Sequence, residues 1–384
     1  MILTIIVFVI ILGLLIFVHE FGHFMSSRKL GVKVEEFGFG FPPRIFGIYQ
    51  KKDGSWKRVI GNKELEKGQN TVYSLNWLPL GGFCKIKGEE VEKIQDKDSF
   101  AIQPAWKRII ILSAGVFMNF VLAIILLTIG FKIGLPQAVE EGDSARDLKI
   151  QIAQVSKDSP AESSGLAIGD QIVTLNGEEF IEIEDLQDKI KLESGKEIDL
   201  KIKRGNEDLD VKVIPRNDPP EGEGALGVAL AKTGIVSYPL FQSIWMGITT
   251  TFTIIVAILF AFYDIIHNLI IQKPILAEFA GPVGIAVLTG QVTRMGFVYI
   301  LQFAAVLSIN LGILNILPFP ALDGGRILFL LIEKIRGKKV SQKIENTIHT
   351  VGFFLLILLL VVVTFKDIFK FKDMFLGIWD RIIN

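Results

Sequence analysis

The sequence predicts a multi-pass α-helical membrane protein of about four spanning helices, with a membrane-associated β-hairpin region and one inserted β-rich domain. Three observations predict it. Half of the 384 residues are hydrophobic and the mean hydropathy is +0.46, an average that water-soluble chains rarely reach. Four mostly apolar stretches fall at roughly 2–24, 107–131, 297–320 and 348–365, each long enough to cross the hydrocarbon core. Between the second and third lies a block of different character, 132–239, with mixed charge and frequent turn signals.

Composition also excludes. The formal net charge is zero, which gives no case for nucleic-acid binding. The single Cys84 rules out an intrachain disulfide and a cysteine-based zinc site. The N-terminal run lacks a basic leader and a small-residue cleavage site, so it is expected to stay as a spanning helix.

The first segment is uncharged from Ile2 to Val18 and ends in His19-Glu20-Phe21-Gly22-His23. On a helix, histidines four apart lie one turn apart and about 40° off the same face, so both can bind one zinc. The glutamate between them is then placed to take a proton from a zinc-activated water. Ionisable groups at membrane depth are costly, and the expectation is a zinc peptidase working within a bilayer.

The stretch 32–100 is strand-like, rich in β-formers and cut by Gly and Pro; its apolar pieces FGFGF and LNWLPLGGF suggest hairpins dipping into the membrane. In the insert, 171–175, 198–203 and 209–214 read as strands and 183–192 as a helix, with linkers at 132–147 and 215–224. The stretch 240–263 is also uncharged and long enough to span. The tail 366–384 is amphipathic. The chain thus divides into 1–131 (two spanning helices and the β region), 132–232 (the insert with linkers), 233–296 (a membrane-associated helix and the FAGP stretch) and 297–384 (the last two spans and the tail).

Basic flanks set the orientation. Arg28, Lys29, Lys33, Lys107, Arg108 and the run Arg326, Lys334, Arg336, Lys338, Lys339, Lys343 are expected on the cytoplasmic side. The pentad then lies near the cytoplasmic leaflet and the insert outside.

A catalytic zinc needs a third protein ligand. The third segment ends NLGILNILPFPALDGGR, where Pro318 and Pro320 break the helix between Asn315 and Asp323. Asp323 would complete a His₂Asp set; the plain alternative is a helix-capping aspartate before a Gly-Gly turn. Two other function classes stay open on the residues alone. A zinc transporter would use His and Asp along a conduction path, and a non-catalytic membrane scaffold would hold a structural zinc. Glu20 beside a three-ligand set argues against both.

HEFGH at 19–23, together with Asn315, Pro318, Pro320, Leu322, Asp323 and Gly324 in N-x-x-P-x-P-x-L-D-G order, resembles the site-2 protease family of intramembrane zinc metalloproteases, within it the bacterial regulator-of-sigma-E protease group. The resemblance runs over nearly the whole chain. It implies zinc (Zn2+) held by His19, His23 and Asp323, Glu20 as general base, and Asn315 on the substrate backbone. The insert, through SPAESSGLAIGDQIVTLNG, resembles one PDZ domain, which implies binding of peptide C-termini or a filter against bulky substrates. Gly38, Phe39 and Gly40 resemble the family's membrane-reentrant loop, an edge strand that pairs with substrate. Phe279, Ala280, Gly281 and Pro282 match its F-S-G-P element with Ala for Ser, and Ser113, Ala114, Gly115 through Asn119 its A-G-P-x-x-N run with Val116 for Pro.

The resemblance further implies a multi-pass protein of the bacterial inner membrane acting on transmembrane substrates, such as pre-cleaved anti-sigma factors or remnant signal peptides. For Asp323 to meet His19 at one depth, their segments must run the same way. The 240–263 stretch is therefore expected along the outer leaflet, unless 274–296 re-enters.

Overall fold

The computed structural model describes residues 2–51, 53–61, 70–89, 96–139, 145–205, 207–220, 222–273, 280–338 and 340–372. Two compact units emerge. The first comprises Met1–Leu127, Gly247–Gly290 and Gln302–Asn384, and the second Thr128–Met246 with Gln291–Leu301.

In the first unit, α1 (Ile2–Lys29) is a single helix of 28 residues. At 1.5 Å per residue it is about 42 Å long, more than the roughly 30 Å of a hydrocarbon core. It carries the pentad without a break, because nothing from Ile2 to Lys29 is proline and apolar residues occupy every face of the helix. Behind it come β1 (Val34–Gln50), β2 (Trp56–Ile60) and β3 (Val72–Ile86), in the order β2-β1-β3. The aromatic face of α1 docks on this sheet, with Phe24 and Phe37 ring centroids 4.5 Å apart and Phe17, Phe21 and Tyr73 around them. Gly81 and Gly82 let β3 come close: a Cβ on Gly81 would stand 2.5 Å from Ile16 Cβ, and one on Gly82 3.1 Å from Phe17 Cα.

The helix α2 (Ala105–Ile133) crosses α1 where Gly22 meets Ala114; a Cβ on Gly22 would lie 2.3 Å from the Ala114 carbonyl oxygen. Glycine-lined faces thus bring helix backbones together, as close packing between apolar helices requires.

In the second unit, β4 (Leu135–Ala138), β5 (Arg146–Val155), β6 (Gln171–Leu175), β7 (Glu178–Glu179), β8 (Ile198–Arg204), β9 (Glu207–Val213) and β10 (Val228–Val236) form one sheet of order β4-β10-β5-β6-β8-β9, with β7 on β6. The short helix α3 (Pro160–Ser163) and the amphipathic α4 (Ile183–Leu192) cover it. Ile150, Ile152, Leu175, Leu186, Ile198, Leu200 and Ile202 form the centre of its core, each 1% exposed or less. Asn176 and Gly177, both at positive φ, turn β6 into β7 as a two-residue hairpin loop requires. The helix and three strands expected from the pattern here coincide with α4, β6, β8 and β9. β5 and β10 lie outside those expectations; β10 reads VALAKTGIV, small residues without a clean alternation.

Among the described residues, five helices are long and apolar enough to cross a membrane, the four expected spans and the 240–263 stretch: α1, α2, α5 (Leu240–Ile270), α7 (Phe297–Ile316) and α9 (Gln342–Lys370). The additional one, α5, contains the 240–263 stretch. α6 (Pro282–Met295) begins at the Gly281-Pro282 pair, with the buried carboxylate of Asp367 accepting from the Gly284 N–H at 2.7 Å. Phe279 and the tail beyond 372 lie outside the described residues. α7 ends at Ile316, two residues before Pro318, and α8 (Asp323–Arg336) comes next.

Gly324 and Gly325 form the first turn of α8, pressed on the Ile316, Leu317 and Phe319 carbonyls, where a Cβ would meet oxygen at 2.2–2.3 Å. One expectation needs correction: the strand that carries Gly38, Phe39 and Gly40 is not an edge. Gly38 has Phe83 on one side and Ser74 on the other, and Phe39 has Gly82 and Leu75. The reason is the long β3, which bends and flanks this part of β1 twice, so that among the described residues the free edge passes to β3 itself.

Candidate active site

α1 presents His19 and His23 to α2, and the turn between α7 and α8 brings Asp323 to them. His19 Nε2 lies 3.1 Å from Asp323 Oδ2, His23 Nε2 lies 3.2 Å from His19 Nε2, and His23 Nε2 lies 3.4 Å from Asp323 Oδ2. Metal–ligand bonds of 2.0–2.1 Å at tetrahedral angles put ligand atoms about 3.3 Å apart. The three separations match that edge, so the residues present fit a zinc ion. Both imidazoles are buried.

The outer nitrogens of the rings are held. His23 Nδ1 donates to the Ile111 carbonyl at 2.9 Å, which fixes the tautomer that leaves Nε2 for metal. The side-chain amide of Asn119 lies 3.1 Å from His19 Nδ1. The atom at that distance is Asn119 Nδ2, while its Oδ1 is buried without a partner; with the amide turned end for end, the oxygen would accept the Nδ1–H and do for His19 what Ile111 does for His23. Both supports come from α2. So does the space: a Cβ on Gly115 would lie 2.5 Å from His23 Nε2 and 2.8 Å from His19 Cε1. The Gly115–Asn119 run is therefore part of the site although Val116 stands where the resembling element has proline. Its signal in the sequence is an asparagine inside an apolar helix.

Glu20, one residue on from His19, is partly buried and lies against the backbone N–H of Cys84 in β3. The edge of β3 thus runs past the candidate base. The Asn315 amide stands 3.3 Å from His19 Nε2, beside the point where the ligand atoms converge. Gly38, Phe39 and Gly40 are joined to the sheet rather than to this cluster; Asn76 donates to the Gly40 carbonyl at 2.8 Å. His349, which no sequence motif marks, accepts from the Ala321 N–H at 2.8 Å.

Two imidazoles and one carboxylate, with a glutamate next in sequence, fit the zinc set of a peptidase, since structural sites close with four protein ligands. Carried on long apolar helices, they make this chain an integral membrane zinc metalloprotease. The comparisons give the family: the profile of peptidase family M50 matches residues 7–359, and the chain belongs to that family.

The chain is 31% identical over 431 residues to the regulator of sigma-W protease RasP of Bacillus subtilis, covering 95% of this chain and 98% of that one. It is 29% identical over 448 residues to the zinc metalloprotease RasP of Geobacillus kaustophilus, covering 96% and 98%. Among solved structures, the PDZ domain of an SdrC-like protein from Listeria innocua is similar at 23% identity and a TM-score of 0.20, over 21% of this chain and 92% of that chain.

Proposed function

We propose that this zinc metalloprotease cleaves single-pass membrane proteins within or next to their transmembrane segments, in the course of regulated intramembrane proteolysis. The observation that carries the reading is the His19, His23 and Asp323 cluster on apolar helices with Glu20 beside it. When bound, zinc activates a water and polarises the scissile carbonyl. Glu20 takes the proton of that water and hands it to the leaving amine. The Asn315 side-chain N–H, 3.3 Å from His19 Nε2, is placed to donate to the substrate backbone and to charge developing on its carbonyl oxygen.

A transmembrane helix keeps its carbonyls hydrogen-bonded and has to unwind before it is cut. The free edge of β3 offers an extended segment replacement partners, which is β-augmentation. In this reading the β3 edge at 82–86 takes the role expected of Gly38, Phe39 and Gly40, which act from inside the sheet by keeping its strands close.

The family resemblance implies membrane-bound anti-sigma factors as one substrate class and remnant signal peptides as the other, and a relative named regulator of sigma-W protease accords with the first. The basic flanks favour a site near the cytoplasmic side of a bacterial inner membrane and an extracytoplasmic insert. The insert is PDZ-like, and a groove of about 430 Å3 between α4 and the start of β10, lined by Ile190, Leu226 and Leu230, suits a peptide C-terminus. α5 then lies along the outer leaflet, which keeps α1 and α7 running the same way.

The test is cleavage of a single-span, ectodomain-trimmed reporter by purified protein in detergent. Cleavage by the wild type, lost in Glu20→Gln and on chelation, is expected. Equal cleavage by Glu20→Gln would sink the reading.

A further inference from the structure

The turn that leads into Asp323, the first residue of α8, holds an unusual residue. Ala321 sits at φ +78°, a left-handed conformation that a residue with a Cβ rarely adopts. It lies two residues before the zinc ligand. Such a conformation persists only where the surroundings over-determine it. Part of the support is internal: the Leu322 N–H donates to the Phe319 carbonyl at 3.2 Å and the Gly325 N–H to the Leu322 carbonyl at 3.1 Å. The Ala321 N–H turns outward and donates to His349 Nδ1 on α9 at 2.8 Å.

A second contact from the same helix falls on the same turn. Gly352 is three residues after His349 and so on the same face of α9. A Cβ on it would lie 2.4 Å from Pro320 Cβ and 2.7 Å from the Pro320 carbonyl oxygen. The α9 backbone therefore touches Pro320 directly, and any larger residue at 352 would displace it. The His349 ring is itself steadied by Phe329 of α8, with ring centroids 5.6 Å apart. Its far side reaches a small polar cavity of about 60 Å3 that it shares with Glu89, Arg108, Arg326 and Glu345.

We propose that His349 and Gly352 form a two-point clamp on the Pro320-Ala321 turn, and that His349 is the positioning residue for the zinc ligand Asp323. The inference rests on the reading of Asp323 as a ligand. Its physical content is specific. Three ligand atoms have to meet within a few tenths of an ångström of the metal's preferred distances. His19 and His23 are held by α2, so the carboxylate, at the first residue of α8, is the member whose place depends on the turn that enters its helix. An N–H held at Nδ1, with a glycine letting the helix close on the neighbouring proline, removes the freedom that turn would otherwise keep. α9 is among the least enclosed of the long helices, so this contact also ties a largely exposed helix to the metal site.

Zinc affinity of the full-length protein in detergent, read by competition with a chelator, tests the clamp without relying on activity. Asparagine places an amide oxygen where histidine has Nδ1, and glutamine places it one carbon further out. His349→Asn should bind zinc like the wild type, whereas His349→Gln and His349→Phe should bind about 10–100-fold more weakly, the usual loss when a support of a metal ligand is removed. Adding Ala321→Gly to His349→Phe should restore part of the affinity, because glycine adopts positive φ without strain. Wild-type affinity in His349→Gln, or equal losses in the Asn and Gln variants, would overturn the clamp. Equal binding by wild type and Asp323→Ala would overturn the ligand reading and the clamp with it. Loss in Asp323→Ala with no loss in His349→Gln would overturn the clamp alone.

Discussion

Gly115 faces His23 so closely that a Cβ at that position would stand 2.5 Å from Nε2, the atom turned toward His19 and Asp323. The volume of a single methyl separates a helix that admits the metal site from one that fills it. The same helix supplies the Ile111 carbonyl and the Asn119 amide that hold the two rings, so α2 shapes the site without contributing a ligand.

Gly115→Ala should therefore lose zinc while keeping its helices. Helix propensity favours alanine over glycine by about 1 kcal/mol, so any loss comes from the imidazoles being pushed apart. Zinc content of the purified variant by elemental analysis checks this; a stoichiometric zinc content would contradict it.

Asn119→Ala leaves the His19 ring without its partner at Nδ1. Zinc affinity is expected to fall about 10–100-fold, with cleavage recovering at high zinc. A chelator competition series on wild type and variant measures the ratio.

Gly81 lies at φ +92° with Ile16 Cβ 2.5 Å from where its own Cβ would be. Gly81→Ala moves β3 away from α1 and its edge away from Glu20. Cleavage should fall by about 100-fold, the scale of a 1 Å misplacement, with zinc content unchanged. Paired measurements of reporter turnover and bound zinc separate this from a metal defect.

In the insert, Asp170 is 1% exposed and accepts from Arg204 Nε and Nη2, both at 2.7 Å, and from the Ala167 N–H at 2.8 Å. Arg204→Ala strands a buried carboxylate and should cost about 1.5–3 kcal/mol of local stability, read by hydrogen exchange of β6 and β8. The hydrogen bond to Asp170 holds the Arg204 guanidinium above its ordinary value. A cation raised on folding contributes stability that is fully present below its unfolded value and is lost as pH rises through the folded one. Exchange protection from this pair should thus stay level from about pH 6 to pH 9.

The long apolar helices were legible because an apolar run is a composition signal that needs no partner: α1 and α2 fall where their apolar runs are. The insert's β8 and β9 were legible for a related reason, since one face is buried and the residues alternate. β10 was not, because both of its neighbours, β4 and β5, are remote in sequence and its small residues carry no period. The stretch around Gly38 looked like an edge because nothing local says that β3 bends round to flank it on both sides.

The residues that cluster, His19, His23 and Asp323, were also singled out in the sequence, since HEFGH and the Asn315-to-Asp323 run each carry their chemistry at a fixed local spacing. Of the supports, Asn119 was marked only through the A-G-P-x-x-N resemblance, and Ile111 and His349 were not marked at all. Asn119, Ile111 and His349 act on residues 100, 88 and 28 positions away, and their value lies in distances that only packing sets. The sequence by itself determined which groups can bind the metal and that they lie on apolar helices, because helical periodicity and hydropathy are local properties. Tertiary structure alone decided which edge faces Glu20, how the imidazoles are oriented and what holds Asp323, because these depend on backbones meeting at glycines far apart in the chain.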